Sequence, residues 1–445
     1  MRRMNWLVGV VVPALLATGC GSSAPPSGSS PVASASPDAS ASGPAPSASI
    51  SAEPVSIRFA VLPDPGEEKN ATKFVEGFTR DHPNVSVAVE PQAGDDYFQK
   101  LTLQAASNTL PDVYWIHDEG IEGFAQKGLA LDLAQCNIDT SDFYPSMLAR
   151  GQFEGRLFMV PRDYNHLVTM YNVDMFNKAG VSLPKDGWTW DEMVAAARKL
   201  TVKDAKGKTT QYGIEGDNFS WWAMAPIAVR GFGGEIINDA GGVAVDSDAA
   251  ANGISALYQL VKDGIATNEF ESPTEYLENG QAAMYFHVRP IVGPTHETIA
   301  AKFKWDFATF PKFPIRHIVG SGTSGYAISA TTKHPQEACQ LLAFIGSVEG
   351  QKIFSSTGNA VPVLKSLAND PAWRAVPDPS MNQDAFVKFP EADSTDEDRM
   401  SVGVREQAQT GLTELLEKVM LGQITPREMV TQWAERIRQA IVDAA

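Results

Sequence analysis

Ser56-Ile57-Arg58-Phe59-Ala60-Val61, followed by Pro63-Asp64-Pro65-Gly66, sets the fold class. β-branched and aromatic side chains favour an extended chain, and the proline and glycine cluster ends it. Downstream the period changes. Phe74 and Phe78 stand four apart on one helical face, and Val85, Val87 and Val89 then alternate as a strand. A helix over 97–106, a strand over 112–116 and a helix over 120–126 continue the pattern. Strands alternating with helices imply an α/β domain with a largely parallel sheet. Ligands of such sheets sit beyond the carboxyl ends of the strands. That rule singles out Asp64 and Glu67 after the first strand, and Trp115, His117 and Asp118 at the end of the later one.

The whole chain has 445 residues, more than one hydrophobic core usually holds, so two domains are expected. A hydrophobic share of 43% excludes a disordered chain. Lys and Arg number 36 against 53 Asp and Glu, a net charge of −17 that repels phosphate backbones and disfavours nucleic acid as a partner. Three cysteines are too few for a disulfide-built scaffold. The histidines lack metal-ligand spacing. Gly320-Ser321-Gly322-Thr323-Ser324-Gly325 has the glycine spacing of a dinucleotide loop, but Tyr326-Ala327-Ile328-Ser329 after it reads as strand, not helix. It is read as a turn. Gly207-Lys208-Thr209 lacks the first glycine of a phosphate loop and reads as a polar hairpin or loop. No cofactor is expected.

Arg2 and Arg3 precede the apolar stretch Trp6 to Ala17, which Gly9 and Pro13 interrupt. A spanning helix needs about 20 apolar residues, so residues 1–19 read as a signal peptide. Ala17-Thr18-Gly19-Cys20 resembles a bacterial lipobox, with Ala17 where that pattern prefers leucine. The resemblance implies a lipidated, palmitate-bearing Cys20 at the mature N-terminus. From Gly21 to Ala52, 29 of 32 residues are Ser, Ala, Pro or Gly, so 20–54 reads as a flexible tether. The expected location is the extracytoplasmic face of the cell membrane.

The middle of the chain carries Tyr171-Asn172-Val173-Asp174-Met175-Phe176-Asn177-Lys178-Ala179-Gly180, then Trp188-Thr189-Trp190-Asp191-Glu192. Thr189 and Glu192 form a capping box for a helix to about Leu200, so these acids are assigned no chemistry. The segment Tyr171 to Glu192 resembles the signature of the family 1 extracellular solute-binding proteins, the carbohydrate-binding lipoproteins of ABC importers. Their fold is similar to that of maltose-binding protein. Asn279-Gly280-Gln281-Ala282-Ala283-Met284 fits the same family, as do Gly320 to Ala330 with Lys333 to Ala338, and Ser347 to Gln351. The resemblance runs from Val55 to the C-terminal helix. It implies a two-lobe, periplasmic-binding-protein-like α/β fold of type II, with discontinuous domains joined by a hinge and the ligand in the inter-lobe cleft. The N-terminal lobe would be 55–168 plus 318–364, and the C-terminal lobe 169–317 plus 365–445. It further implies a monomeric binder, not an enzyme, that hands a neutral mono- or oligosaccharide to a membrane permease. A tethered carbohydrate-active enzyme and a sugar sensor for a membrane kinase are the alternatives. Near the end, Leu412, Leu415, Leu416 and Val419 share a helical face, Gly422 breaks it, and Thr425-Pro426-Arg427-Glu428 opens another amphipathic helix through Ile437 and Ile441.

A sugar offers apolar C–H faces that stack on aromatic rings, and hydroxyls that need planar polar partners. Asp217-Asn218-Phe219-Ser220-Trp221-Trp222 supplies both kinds of group. One of Trp221 and Trp222 is expected to stack and the other to pack, and the resemblance favours Trp222. It also implies ligand contacts at Asp163 and Tyr164 and a cleft-facing Ser324. Alternation places Tyr285, His287 and Arg289 on one strand face, with His287 or Arg289 exposed to the cleft. Cys136 and Cys339 fall in the first lobe. They are expected as buried thiols, a bridge between them being the alternative.

Overall fold

A computed structural model describes residues 53–444, apart from 63–64, 93–96, 221–223, 239, 272–275, 357, 359, 389–399 and 401. The signal peptide, Cys20 and most of the tether lie outside the described residues, as do Asp64, Trp221 and Trp222.

The chain begins β1 (Val55–Val61), α1 (Pro65–Asp81), β2 (Val85–Pro91), α2 (Tyr97–Ala106), β3 (Val113–His117) and α3 (Asp118–Gln126). It continues with α4 (Pro145–Arg150), the hairpin β4 and β5 (Gln152–Phe153, Arg156–Leu157), β6 (Met159–Pro161), β7 (Asn165–His166) and β8 (Val168–Asn172). Next come α5 (Val173–Ala179), α6 (Trp190–Leu200), the hairpin β9 and β10 (Val202–Lys203, Thr209–Gln211), α7 (Ala225–Gly231) and α8 (Asp248–Lys262). The remainder is β11 (Met284–His287), α9 (Val292–Ile299), β12 (Trp305–Thr309), β13 (Ser321–Gly322), β14 (Ser324–Ile328), α10 (Pro335–Gly346), α11 (Val348–Ser355), α12 (Pro371–Arg374), α13 (Val402–Met420) and α14 (Pro426–Asp443).

Five strands form one sheet in the order β2-β1-β3-β14-β6. β1 pairs in parallel with β2 and β3, whereas β14 runs antiparallel to β3 and β6. Three strands, β11-β8-β12, form a second, antiparallel sheet. β7 leads from the first sheet to the second and β13 leads back. They pair with each other, so these two passages are zipped by main-chain hydrogen bonds.

Two apolar cores follow the sheets. Phe59, Phe74, Phe78, Tyr114, Tyr326 and Leu342 fill the first, and Trp190, Met193, Leu257, Leu416 and Trp433 the second. The strand period of two lets the antiparallel sheet serve both. In β12, Trp305 and Phe307 enter the first core and Ala308 the second; in β8, Met170 enters the first and Tyr171 the second. Trp373 and Phe386 extend the first core towards Phe307, whose ring meets Phe386 edge-on at 4.9 Å.

The local signals act as their chemistry dictates. The Thr189–Glu192 and Thr425–Glu428 capping boxes open α6 and α14, and Gly422, at φ +69°, follows the end of α13. The glycine-rich run becomes β13 and β14. At Gly325 a Cβ would sit 2.2 Å from the Val160 carbonyl, so strand packing and not a phosphate demands that glycine. Gly207 lies in the β9–β10 hairpin loop.

One expectation is corrected. Cys136 and Cys339 form a disulfide, their Cα atoms 4.9 Å apart. α10 folds back from β14 onto the 133–136 turn and brings together cysteines 203 residues apart. Among the described residues no helix is long and apolar enough to cross a membrane.

Candidate functional site

Four segments converge at the carboxyl ends of β1, β3 and β6 and the start of β14. Arg162, just after β6, ties them together. Its Nη2 donates to Glu67 Oε1 at 2.7 Å, Nη1 to Glu67 Oε2 and to the Tyr326 hydroxyl, and Nε to Ser324 Oγ at 2.9 Å. The guanidinium lies 4.7 Å from the Phe354 ring centre and 5.6 Å from that of Trp115. Burial opposes its charge, but Glu67, Tyr326 and Asp163 outweigh that and raise its pKa. Asp163 Oδ1 accepts from the Ser324 amide at 2.9 Å and from Thr323 Oγ1 at 3.0 Å.

The adjoining rim starts at His117, which is exposed. Asp118, placed by the sequence at the end of the strand, begins α3, where an acid suits the helix dipole. Its Oδ2 accepts from Arg150 at 2.9 Å and from the Thr323 amide at 3.1 Å, while Arg150 also donates to Ser321 Oγ. Trp115 is buried, edge-on to Tyr97, and Tyr97 donates to the Trp115 carbonyl. Tyr164 is buried in a stack, 4.3 Å from Tyr144, with His166 edge-on beyond it. Burial, with Arg150 nearby, pushes His166 down to about 3.

The antiparallel sheet contributes an acidic wall. Glu215 bridges to Tyr285 of β11 and accepts from the Tyr276 and Leu277 amides at 3.0 and 2.6 Å. Glu269 accepts from the amide and hydroxyl of Ser220 at 2.8 and 2.6 Å. Asn218 donates to the Phe286 carbonyl. Burial and then Asp217 push Glu215 up to about 8. Burial is also the main cause that takes Glu269 to about 7. Tyr285 is hydrogen-bonded to Asp217 and lies 5.2 Å from His287, ring to ring. Burial pushes His287 down to about 4.

Arg289 departs from its expected exposure. β11 ends at His287, and a 3₁₀ turn through Pro290 breaks the alternation. The Arg289 side chain is wholly buried between Trp373 and Phe386 and donates to the carbonyls of Gly358, Trp373 and Val376 and to Gln383. The fold thus gathers Glu67, Asp163 and Ser324 into one network, and sets Asp118 and His117 beside it. Tyr285 and His287 stand on the other sheet. Sequence reasoning missed Arg162, Arg150, Glu215 and Glu269. Arg162 carried a signal, a cation straight after the apolar strand Met159–Pro161. Among the described residues no group of three or more His, Cys, Asp or Glu is placed to hold a metal ion.

This fold, two apolar cores under two sheets joined by the zipped β7–β13 pair, is shared with solved ABC substrate-binding proteins. An ABC substrate-binding protein of Listeria monocytogenes in complex with cycloalternan matches it with a TM-score of 0.75 and 22% identity, covering 87% of this chain and 99% of that one. The GacH receptor of Streptomyces glaucescens, solved without ligand and with acarbose, matches at 0.73 and 19%, covering 88% and 99%. The family profile of the bacterial extracellular solute-binding proteins matches residues 73–380, and the chain belongs to that family. The galactooligosaccharide-binding protein of Bacillus subtilis is 23% identical over 423 residues, 90% of this chain and 93% of the relative.

Proposed function

We propose that this chain is the carbohydrate-binding component of an ABC importer, held at the extracytoplasmic face of the membrane by a lipid on Cys20 and a tether to about residue 54. It binds a neutral mono- or oligosaccharide as a monomer, releases it unchanged and delivers it to the permease. The lobes are 55–168 with 318–364, and 169–317 with 365–445, the stretch around Trp373 and Phe386 packing onto the first core; β7 and β13 form the hinge. Ligand spans the cleft and favours the closed arrangement by its differential affinity for it.

One observation carries the ligand class. The guanidinium groups at the rim are committed to protein acceptors: Arg162 to Glu67 and Ser324, Arg150 to Asp118 and Ser321. What remains to meet a ligand is carboxylate, hydroxyl, imidazole and aromatic surface, including Glu269, Tyr285, His287 and His117, with Asp64, Trp221 and Trp222 nearby in sequence. That set suits hydroxyl groups and lacks the cationic donors that a phosphate prefers. A relative named for galactooligosaccharide and a structural neighbour solved with cycloalternan support the reading.

Thermal melts of the full chain against maltotriose, a galacto-oligosaccharide mixture and sn-glycerol 3-phosphate test it. Ligand at about 100 times its Kd adds about 2.7 kcal/mol of stability. A neutral saccharide should raise the melting point, and the phosphate should not. A response to glycerol 3-phosphate alone, or chromatographic detection of saccharide hydrolysis, overturns the proposal.

A further inference from the structure

α3 and α13 belong to different cores, yet they touch. Ile121 and Ala125 of α3 pack into the first core, and Val404, Ala408 and Leu412 of α13 into the second. Between the helices, Gln409 Nε2 donates to Glu119 Oε2 at 2.8 Å, and the Arg405 guanidinium lies 4.0 Å from Glu122 Oε2. Residues 119 and 122 are neighbours along one helix face, as are 405 and 409 along the other, so the two pairs form facing polar stripes. The Arg405 side chain is only 8% exposed and that of Glu122 28%, so solvent screens this pair less than an ordinary surface pair.

The place of the contact matters as much as its chemistry. α3 starts at the carboxyl end of β3, where Asp118 binds the Thr323 amide at the head of β14. It therefore rises from the same rim as the Arg162–Glu67–Ser324 network. The β7–β13 pair joins the sheets beside this rim, Ser321 of β13 accepting from Arg150. A rotation about that pair that opens the rim must part α3 from α13.

We propose that the α3–α13 contact is a closing latch, in which Arg405 and Gln409 on one lobe engage Glu122 and Glu119 on the other and set ligand affinity from outside the ligand shell. The proposal rests on the hinge-closure reading above. An interaction made only in the closed form enlarges the closed fraction, and apparent affinity scales with that fraction. Loss of the latch should weaken binding about three- to thirtyfold, the range expected when a half-buried ion pair and a hydrogen bond are removed together.

Two measurements on the full chain test the latch, with Glu122→Gln, Arg405→Gln, their double variant and Gln409→Ala. In the absence of ligand, amide exchange in 118–126 and 402–420 should quicken several-fold in both helices. Glu122→Gln and Arg405→Gln should be non-additive. In calorimetric titration with maltotriose, Kd should rise in every variant while the melting point of Gln409→Ala stays near that of the parent. Exchange that is unchanged, or faster in α13 alone, overturns the latch. So does tighter saccharide binding, which would assign the contact to the open form. If the parent chain gives no heat with maltotriose, the exchange measurement still decides the latch, and only the ligand assignment suffers.

Discussion

At the scale of the residue, Arg162 does most to organise the rim. It is 5% exposed and spans α1, the β6 exit and β14 through Glu67, Ser324 and Tyr326. Removing one partner of a buried charge pair leaves the other charge desolvated, at a cost of about 3–5 kcal/mol. Arg162→Met should therefore lower unfolding stability by that order in a denaturant titration. It should also abolish saccharide binding, because Glu67 and Ser324 lose their common anchor. Arg162→Lys keeps the charge but not the planar fork, so it should recover part of the stability and little of the binding. A midpoint for Arg162→Met that matches the parent would remove Arg162 from this role. Arg289 makes the contrast. It is an equally buried cation held by carbonyls and an amide, with no carboxylate partner among the described residues, and burial and the nearby Arg374 pull its pKa down to about 9.

Among the elements, the Cys136–Cys339 bridge is a constraint that no local pattern announces. It closes 203 residues and fastens α10 to the turn ahead of α4. Cross-links over long loops mainly restrict the unfolded chain, and loss of a native disulfide costs about 2–5 kcal/mol. Cys136→Ser with Cys339→Ser should lower the denaturant midpoint by that amount, and dithiothreitol should do the same to the parent chain and nothing to the double variant. Equal midpoints for parent and double variant would leave the bridge without a stabilising role. Elements with local causes were legible from sequence. α2 follows helical periodicity, α6 and α14 follow their capping boxes, and β1 follows its β-branched run. Elements decided by distant partners were not. The first sheet is only partly parallel because β14 returns from the far end of the chain to pair with β3. In the candidate site, the topological rule reaches Glu67, His117 and Asp118, which lie at the carboxyl ends of the strands. Glu215 and Glu269 were hidden, since their role comes from burial beside Asp217 and not from a motif.

The whole molecule combines two opposed sets of buried titrating groups. Glu215 and Glu269 sit at about 8 and about 7, above an ordinary 4.5. The folded chain holds these protons while the unfolded chain has released them. Their stabilising share is thus complete below about pH 4.5 and is lost as pH rises through 7 to 8. His166 and His287 sit at about 3 and about 4, below an ordinary 6.5, because burial disfavours the imidazolium. There the unfolded chain takes up protons that the fold refuses, so stability is lost as pH falls from 6.5 towards 4. Between 4.5 and 6.5 two acids oppose two imidazoles and the slopes nearly cancel. Above 6.5 only the acids still titrate. Below 4.5 the histidines are joined by Asp370, Asp378 and Asp384, which native hydrogen bonds hold below the usual carboxylate range. The melting point should therefore form a plateau from about pH 4.5 to 6.5 and fall on both sides. Glu215→Gln imitates the protonated acid, so it should flatten the alkaline side, tilt the plateau upward towards pH 6.5 and leave the slope below pH 4.5 unchanged. A parent melting point that climbs steadily from pH 5 to 8 would mean that Glu215 and Glu269 are ionised in the fold. The acidic wall would then carry full charge and favour a cationic saccharide over a neutral one.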